Sequence, residues 1–295
     1  MTAVARTRAE LAALRDQLVE ARDGPPQQPP MVAVVMTMGA LHAGHAELIR
    51  RARARASAVV VTEFLNPLQF APGEDLDKYP RRFDADLALC RAEGVDLMFA
   101  PDPAQVYPTG EPVVRVSAGP VGDILEGRSR PGHFDGVLTV VAKLLHLTAP
   151  DLAFFGRKDA QQLWLIERMV RDLDFDVEVI GVPTVRDADG LALSSRNSYL
   201  SDDDRRTALV LSRALRRAQA VAETSGATPQ LVLQAARAEV AREPAVLPDY
   251  LELVDPRDFE VVGPGHRGEA LLLVAARVGS TRLIDNTVIH LSGLE

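Results

Sequence analysis

Short, almost wholly apolar runs that stop at glycine or proline, each followed by a stretch of helical spacing, recur along the first 184 residues. MVAVVMTMG (31–39), AVVVTEFLNP (58–67), DLMFAP (96–101) and DLAFFG (151–156) are too short for buried helices and too apolar for strands with one wet face. They read as strands buried on both sides. The segments between them, from about Gly44 through RARARA, RRFDADLALCRAEG (81–94), GVLTVVAKLLHL (136–147) and DAQQLWLIERMVRDL (159–173), read as helices. Strand–helix alternation of this kind predicts a parallel α/β sheet. VVRVSA (113–118) is a further expected strand, DVEVIGVPTV (176–185) another, and residues 7–22 an N-terminal helix broken by DGPPQQPP.

Beyond Arg186 the pattern changes. Two Ala/Arg-rich helical stretches (about 203–223 and 228–242) precede YLELVDP, EALLLVAARV and TRLIDNTVIHL, which predicts a smaller α+β unit with a short antiparallel sheet. The expected division is 1–184 and 185–295, with a hinge at 184–190 and Ser201 capping the first C-terminal helix above an acidic first turn.

At 295 residues the chain can bury enough surface to need no disulfide or structural zinc, and it has one cysteine, Cys90, read as a packing residue. A net charge of −8 argues against a nucleic-acid coat or a basic membrane-surface protein. No run is long enough to span a bilayer, and the N-terminus has no signal-like apolar stretch, so a cytoplasmic place is expected. RRARAR (50–55) reads as a solvated helix face. GPGHRG (263–268) matches a dinucleotide pattern literally, but it leads into a strand rather than opening a helix and is read as a hairpin loop.

Chemistry concentrates in three places, two of them at the carboxyl ends of expected strands, where open α/β sheets bind ligands. MTMGALHAGH (36–45) joins a strand to a helix and carries His42 and His45 around Gly44; free amides at a helix start and imidazole donors suit phosphate. FFGRKDAQQL (154–163) puts Lys158, Asp159, Gln161 and Gln162 at a second such junction. Lysine is scarce here, three (Lys78, Lys143, Lys158) against 30 arginines, which favours a role for Lys158 as a point charge. LSSR (193–196) sets two hydroxyls and a guanidinium in a loop able to close over a triphosphate.

Together, TMGALHAGH (37–45), FLNPLQFAPGEDLDKYPR (64–81), EGRSRPGHFDGVLTVVAKLL (126–145), FFGRKDAQQL and GVPTVRDADGLALSSRNSYL (181–200) resemble the pantoate–β-alanine ligase family of the nucleotidylyltransferase superfamily, in the family's order. The resemblance implies a Rossmann-like nucleotide- and pantoate-binding domain followed by a C-terminal α+β lid. It implies ATP-dependent condensation of pantoate with β-alanine through a pantoyl adenylate, with release of AMP and pyrophosphate. It implies that His42, His45, Lys158, Ser194, Ser195 and Arg196 act in catalysis, with His45 in an acid role. Met38, Gly39, Gly44, Gly156, Arg157, Asp159, Val185 and Leu193 would join them around ATP, and Gln69, Gln162 and Met38 would hold pantoate and β-alanine. Mg²⁺ would ride on the phosphates with Asp86 nearby, and the protein would be a homodimer without nucleic-acid or membrane partners.

The chain departs from the family's usual residues at Met36 (proline), Ala160 (tyrosine), Leu193 (methionine) and Glu63 (aliphatic). Two alternatives follow from these departures: a ligase of altered acid or amine specificity, and a non-catalytic nucleotide-binding homologue. Glu63, in an otherwise apolar strand, is expected to lie near the cleft, in an ion pair or at the surface.

Overall fold

A computed structural model describes residues 2–20, 31–71, 74 and 76–291; the DGPPQQPP breaker lies outside them. By compactness the chain divides into Met1–Arg157 with Leu165–Pro183, and Lys158–Trp164 with Thr184–Glu295. In chain order the first part runs β1 (Ala3–Ala5), α1 (Arg8–Glu20), β2 (Val32–Thr37), α2 (Ala43–Arg55), β3 (Ala58–Glu63), α3 (Phe83–Ala92), β4 (Leu97–Phe99), α4 (Pro103–Val106), α5 (Glu126–Ser129), α6 (His133–Thr148), β5 (Leu152–Gly156), α7 (Ala160–Asp172) and β6 (Glu178–Val182). After it come α8 (Asp202–Ala222), α9 (Pro229–Val240), β7 (Val246–Val254), β8 (Gly268–Val278) and β9 (Thr281–Leu291). Two 3-10 turns that matter below are Pro67–Gln69 and Ser195–Tyr199.

The expected parallel sheet is present, ordered β1-β4-β3-β2-β5-β6. Strand order reverses between β2 and β5, and such a reversal point at a sheet's carboxyl edge is where open α/β sheets bind ligands. The apolar runs are buried on both faces. Ala33, Val35, Val59 and Val61 pack with Leu48, Ile49 and Ala52 of α2 and Leu87 and Cys90 of α3. Val34 and Val60, on the opposite face, are equally sealed from water. Cys90 is indeed a buried packing residue.

Helix α6 is apolar on nearly every side, and its Gly136 is a close-approach residue. A Cβ there would stand 2.2 Å from the backbone oxygen of Leu68. Only glycine lets the Pro67–Gln69 turn rest directly on the helix.

Two expectations need amending. Residues 113–118 form no strand: Val113 and Val114 lie fully or largely in solvent. The chain beyond them is tied to α6 instead, with the Val116 amide donating to Thr139 and the Ala118 amide to Asp135. A strand that sequence reading missed, β1, adds to the sheet edge beside β4; its three residues are too few to show a period.

The C-terminal unit is the expected α+β arrangement, an antiparallel sheet ordered β7-β8-β9. Leu253, Leu272, Val274 and Ile289 of the strands form one core with Val210, Leu211 and Leu215 of α8 and Val232 of α9. Ser201 caps α8 by accepting from the Asp204 amide, above Asp202–Asp204 in the first turn. GPGHRG falls in the β7–β8 connection, as a loop. No helix among the described residues is long and apolar enough to cross a membrane.

Candidate active site

The turn that leaves β2 is built to place two imidazoles at a helix start. Thr37 donates its hydroxyl to the Thr62 carbonyl at 2.8 Å, locking the ends of β2 and β3 together. The chain then turns through Gly39 (φ +87°) and Ala40 (φ +53°). The amides of Ala40 and Leu41 both donate to the Asp86 carboxylate, at 2.7 and 2.8 Å. Asp86, which the resemblance put near Mg²⁺, is 2% exposed and holds the turn from within α3.

His42 is the N-cap of α2, and the two histidines cap the helix reciprocally. Nδ1 of His42 accepts from the Gly44 amide at 3.1 Å, and Nδ1 of His45 accepts from the His42 amide at 3.3 Å. Their ring centroids are 4.1 Å apart. A neutral imidazole that accepts on Nδ1 carries its proton on Nε2. Folding of the helix start therefore makes an Nε2–H donor of each ring, beside the helix's positive end. This is the donor geometry that an accumulating phosphate charge requires.

Gln69 sits at the end of the Pro67–Gln69 turn, held at both its backbone and its side chain. Asn66 donates to the Gln69 side-chain oxygen and to the Gly136 carbonyl, both at 3.1 Å, and accepts from the Tyr107 hydroxyl at 2.8 Å. The other end of the Gln69 amide donates to the Met38 sulfur at 3.1 Å, which ties this turn to the one after β2. Meanwhile the Gln69 carbonyl accepts from His133 Nδ1 at 2.8 Å and from Arg130 at 3.2 Å, and Arg130 is paired with Glu74 at 2.6 Å. His133 thus carries its proton on Nδ1, the opposite tautomer to His42 and His45, and its Nε2 accepts from Arg130. Asn66, Tyr107, Arg130 and His133 had no role assigned from sequence. All but Tyr107 fall in the segments that carry the family resemblance.

Of the remaining expected residues, Gly156 ends β5, and Arg157 follows it with its amide donating to Val182 at 2.8 Å. These belong with the two histidines, Met38, Gly39, Gly44 and Gln69 to the parallel-sheet unit. The others lie in the C-terminal unit. Lys158 has its ammonium 3.7 Å from Asp159, and its carbonyl accepts from Asn286 at 2.8 Å. Gln161 is buried and Gln162 half-buried in the first turn of α7. The Val185 carbonyl accepts from the Leu193 amide at 3.0 Å, closing the base of the 186–192 loop, and Arg186 pairs with buried Asp285 at 2.6 Å. Lys158 and this loop are thereby anchored on consecutive residues of β9. Ser194 caps the Ser195–Tyr199 turn by accepting from the Arg196 amide, so the two serines and Arg196 sit at a formed helical start.

Glu63, the last residue of β3, is half-buried beside Gly39, and its Oε2 is sealed from solvent with no hydrogen-bond partner. It lies partly buried at the end of β3, against the turn that leaves β2. Burial, and then the charge of Asp86, push its carboxyl up to about 7 from an ordinary 4.5. Its folded form keeps the proton longer than the unfolded chain does. The fold thus bears no ionisation cost from it below 4.5 and an increasing one as pH rises to about 7. His133 acts in the opposite sense. Burial, and then the Arg130 charge, lower it from 6.5 to about 4, so its contribution is complete above 6.5 and lost as pH falls through about 4. E63Q is expected to expose the His133 effect as a steeper fall in melting temperature between pH 6.5 and 4.5 than the parent shows. Superimposable melting profiles for the two proteins would contradict this assignment.

Among the described residues no three His, Cys, Asp or Glu side chains are placed to share a metal ion. The groups at the turn after β2 are hydrogen-bond donors, suited to anions.

Comparison with known proteins agrees with this chemistry. A family model described as pantoate-beta-alanine ligase matches residues 4–288. The pantothenate synthetase of Salinispora arenicola is 56% identical over 99% of this chain and 99% of its own length. That of Streptomyces avermitilis is 55% identical over 86% of this chain and 91% of its own. The crystal structure of pantothenate synthetase from Thermus thermophilus superposes with a TM-score of 0.87 at 46% identity, covering 97% of this chain and 98% of that one. A pantoate-beta-alanine ligase from Francisella tularensis, solved with beta-gamma ATP and beta-alanine, gives a TM-score of 0.77 at 30% identity, covering 98% of both chains. The chain belongs to the pantoate–β-alanine ligase family.

Proposed function

We propose that the protein joins pantoate to β-alanine at the expense of ATP through an enzyme-held pantoyl adenylate. A pantoate carboxylate oxygen attacks the α-phosphorus, forming the acyl-phosphate bond as the bond to pyrophosphate breaks. The β-alanine amine then attacks the acyl carbon, AMP leaves with the bonding pair, and the amine gives up a proton as the amide of pantothenate forms. The observation that carries this reading is the reciprocal cap of His42 and His45, which turns two imidazoles into Nε2–H donors at a helix start.

In this reading the two donors, at the helix start beside Gly44, take up charge on the departing pyrophosphate, and His45 serves as the acid. Gln69 and Gln162 orient pantoate, and Met38 and Gly39 border both substrates. Gly156, Arg157, Lys158, Asp159, Val185 and Leu193 line the nucleotide. Ser194, Ser195 and Arg196 bring hydroxyl and guanidinium donors to the phosphates. Mg²⁺ would be held chiefly by phosphate oxygens and water, a usual arrangement for this ion, and would offset charge on the triphosphate. A cytoplasmic homodimer completes the proposal.

The test is isotope exchange between pyrophosphate and ATP. Exchange is expected only when pantoate is present, with pantoate preferred over other 2-hydroxy acids, and AMP is expected to be released only once β-alanine is added. Equal exchange without pantoate would overturn the reading.

A further inference from the structure

We propose that Glu63 is a positioning residue for the turn after β2, its carboxyl group propping Gly39 so that Met38 and His42 stand where the reaction needs them. The inference rests on the ligase reading above and goes beyond it. Glu63 and Thr37 are the last residues of paired strands and lie opposite each other in register. From that place the Glu63 side chain reaches under the turn. A Cβ at Gly39 would lie 3.2 Å from its Cδ and Oε1 and 3.3 Å from its Cγ. The carboxyl group thus occupies the space that the glycine leaves open. The next two amides are held from below by Asp86, so the 39–41 backbone rests on two carboxyl groups supplied by different elements.

Packing gives no reason for a glutamate here. The five preceding residues of β3 are buried, and all but Thr62 are apolar. Glu63 leaves one oxygen sealed and unpartnered, a loss that a valine would avoid. A group that costs stability at the edge of a catalytic turn is the pattern expected where position has been favoured over packing.

The experiment compares the parent chain with Glu63→Val and Glu63→Gln. E63V is expected to raise the melting temperature while kcat falls about tenfold, because small displacements of a positioned group cost large factors in rate. The ATP KM should change little. E63Q, which keeps the shape of the protonated carboxyl, should recover kcat to within about threefold of the parent. Hydrogen exchange supplies a readout independent of turnover: the Gly39–Leu41 amides should exchange at least about tenfold faster in E63V and at the parent rate in E63Q. Parent-like kcat in E63V, or unchanged exchange at those amides, overturns the proposal. So does an E63V that loses melting temperature along with activity, since the carboxyl would then be a fold-holding group. E63Q as slow as E63V also overturns it. An inactive parent would count against the ligase reading, while the exchange measurement would still decide the role of Glu63.

Discussion

Replacing His45 with alanine is expected to lower kcat by roughly 10²–10³-fold, the usual loss when one preorganised donor to a developing charge is removed. The same substitution removes the acceptor for the His42 amide, so alanine alone would mix a chemical loss with a frayed helix start. His45→Gln separates the two. Glutamine is a natural partner at this position of a capping box, and its side-chain oxygen can accept from the same amide. H45Q should therefore regain about 0.5–1 kcal/mol of the stability lost in H45A while remaining as slow. Single-turnover adenylate formation, ATP binding and thermal melts on both variants give the comparison. Either variant turning over within tenfold of the parent would remove His45 from the chemistry.

Asp86→Ala should be the most damaging single change to the parallel-sheet unit. It orphans two amides, that of buried Ala40 and that of partly buried Leu41. Each unsatisfied group costs about 1–3 kcal/mol, so the pair costs roughly 2–6 kcal/mol. For a unit of this size that is a fall of roughly 4–24 °C in melting temperature. The measurement is made on nucleotide-free protein in a chelator, which makes it decisive between two roles. If Asp86 served chiefly to hold Mg²⁺, the metal-free protein would melt as the parent does. If it holds the turn, the loss appears without any ligand, and Asp86→Asn, which keeps only one acceptor oxygen, should fall between alanine and the parent.

The alternating sheet and its two junction motifs were legible because their signals are local. Val32–Met36 and Ala58–Val61 are apolar without interruption, and Gly39 and Pro67 mark where the runs end. What could not be read was the company each residue keeps. Gln69 was identified, but the groups that fix it, Arg130 and His133, stand 61 and 64 residues away. Asp86 was expected only as a residue near Mg²⁺; that it receives amides 45 and 46 residues earlier is a fact of packing alone. The expected strand at 113–118 shows the converse failure. Its valines favour extended backbone, but among the described residues no strand pairs with it, and Thr139 and Asp135 on α6 capture its amides instead.

If Gln69 orients pantoate as proposed, the double tether on it changes what that recognition costs. Fixing a free glutamine side chain sacrifices about 1.5–2 kcal/mol of rotamer freedom. Here folding has already made that sacrifice, since the amide oxygen is engaged by Asn66 and the nitrogen by Met38. The two ends are held unequally, because a thioether is a feeble acceptor. An arriving carboxylate or hydroxyl oxygen therefore exchanges a weak partner for a strong one without having to freeze the side chain first. A ligand that presented a donor at the same point would meet an oxygen already taken by a neighbouring amide. In the proposed role the turn would discriminate by polarity before shape, at little entropic expense.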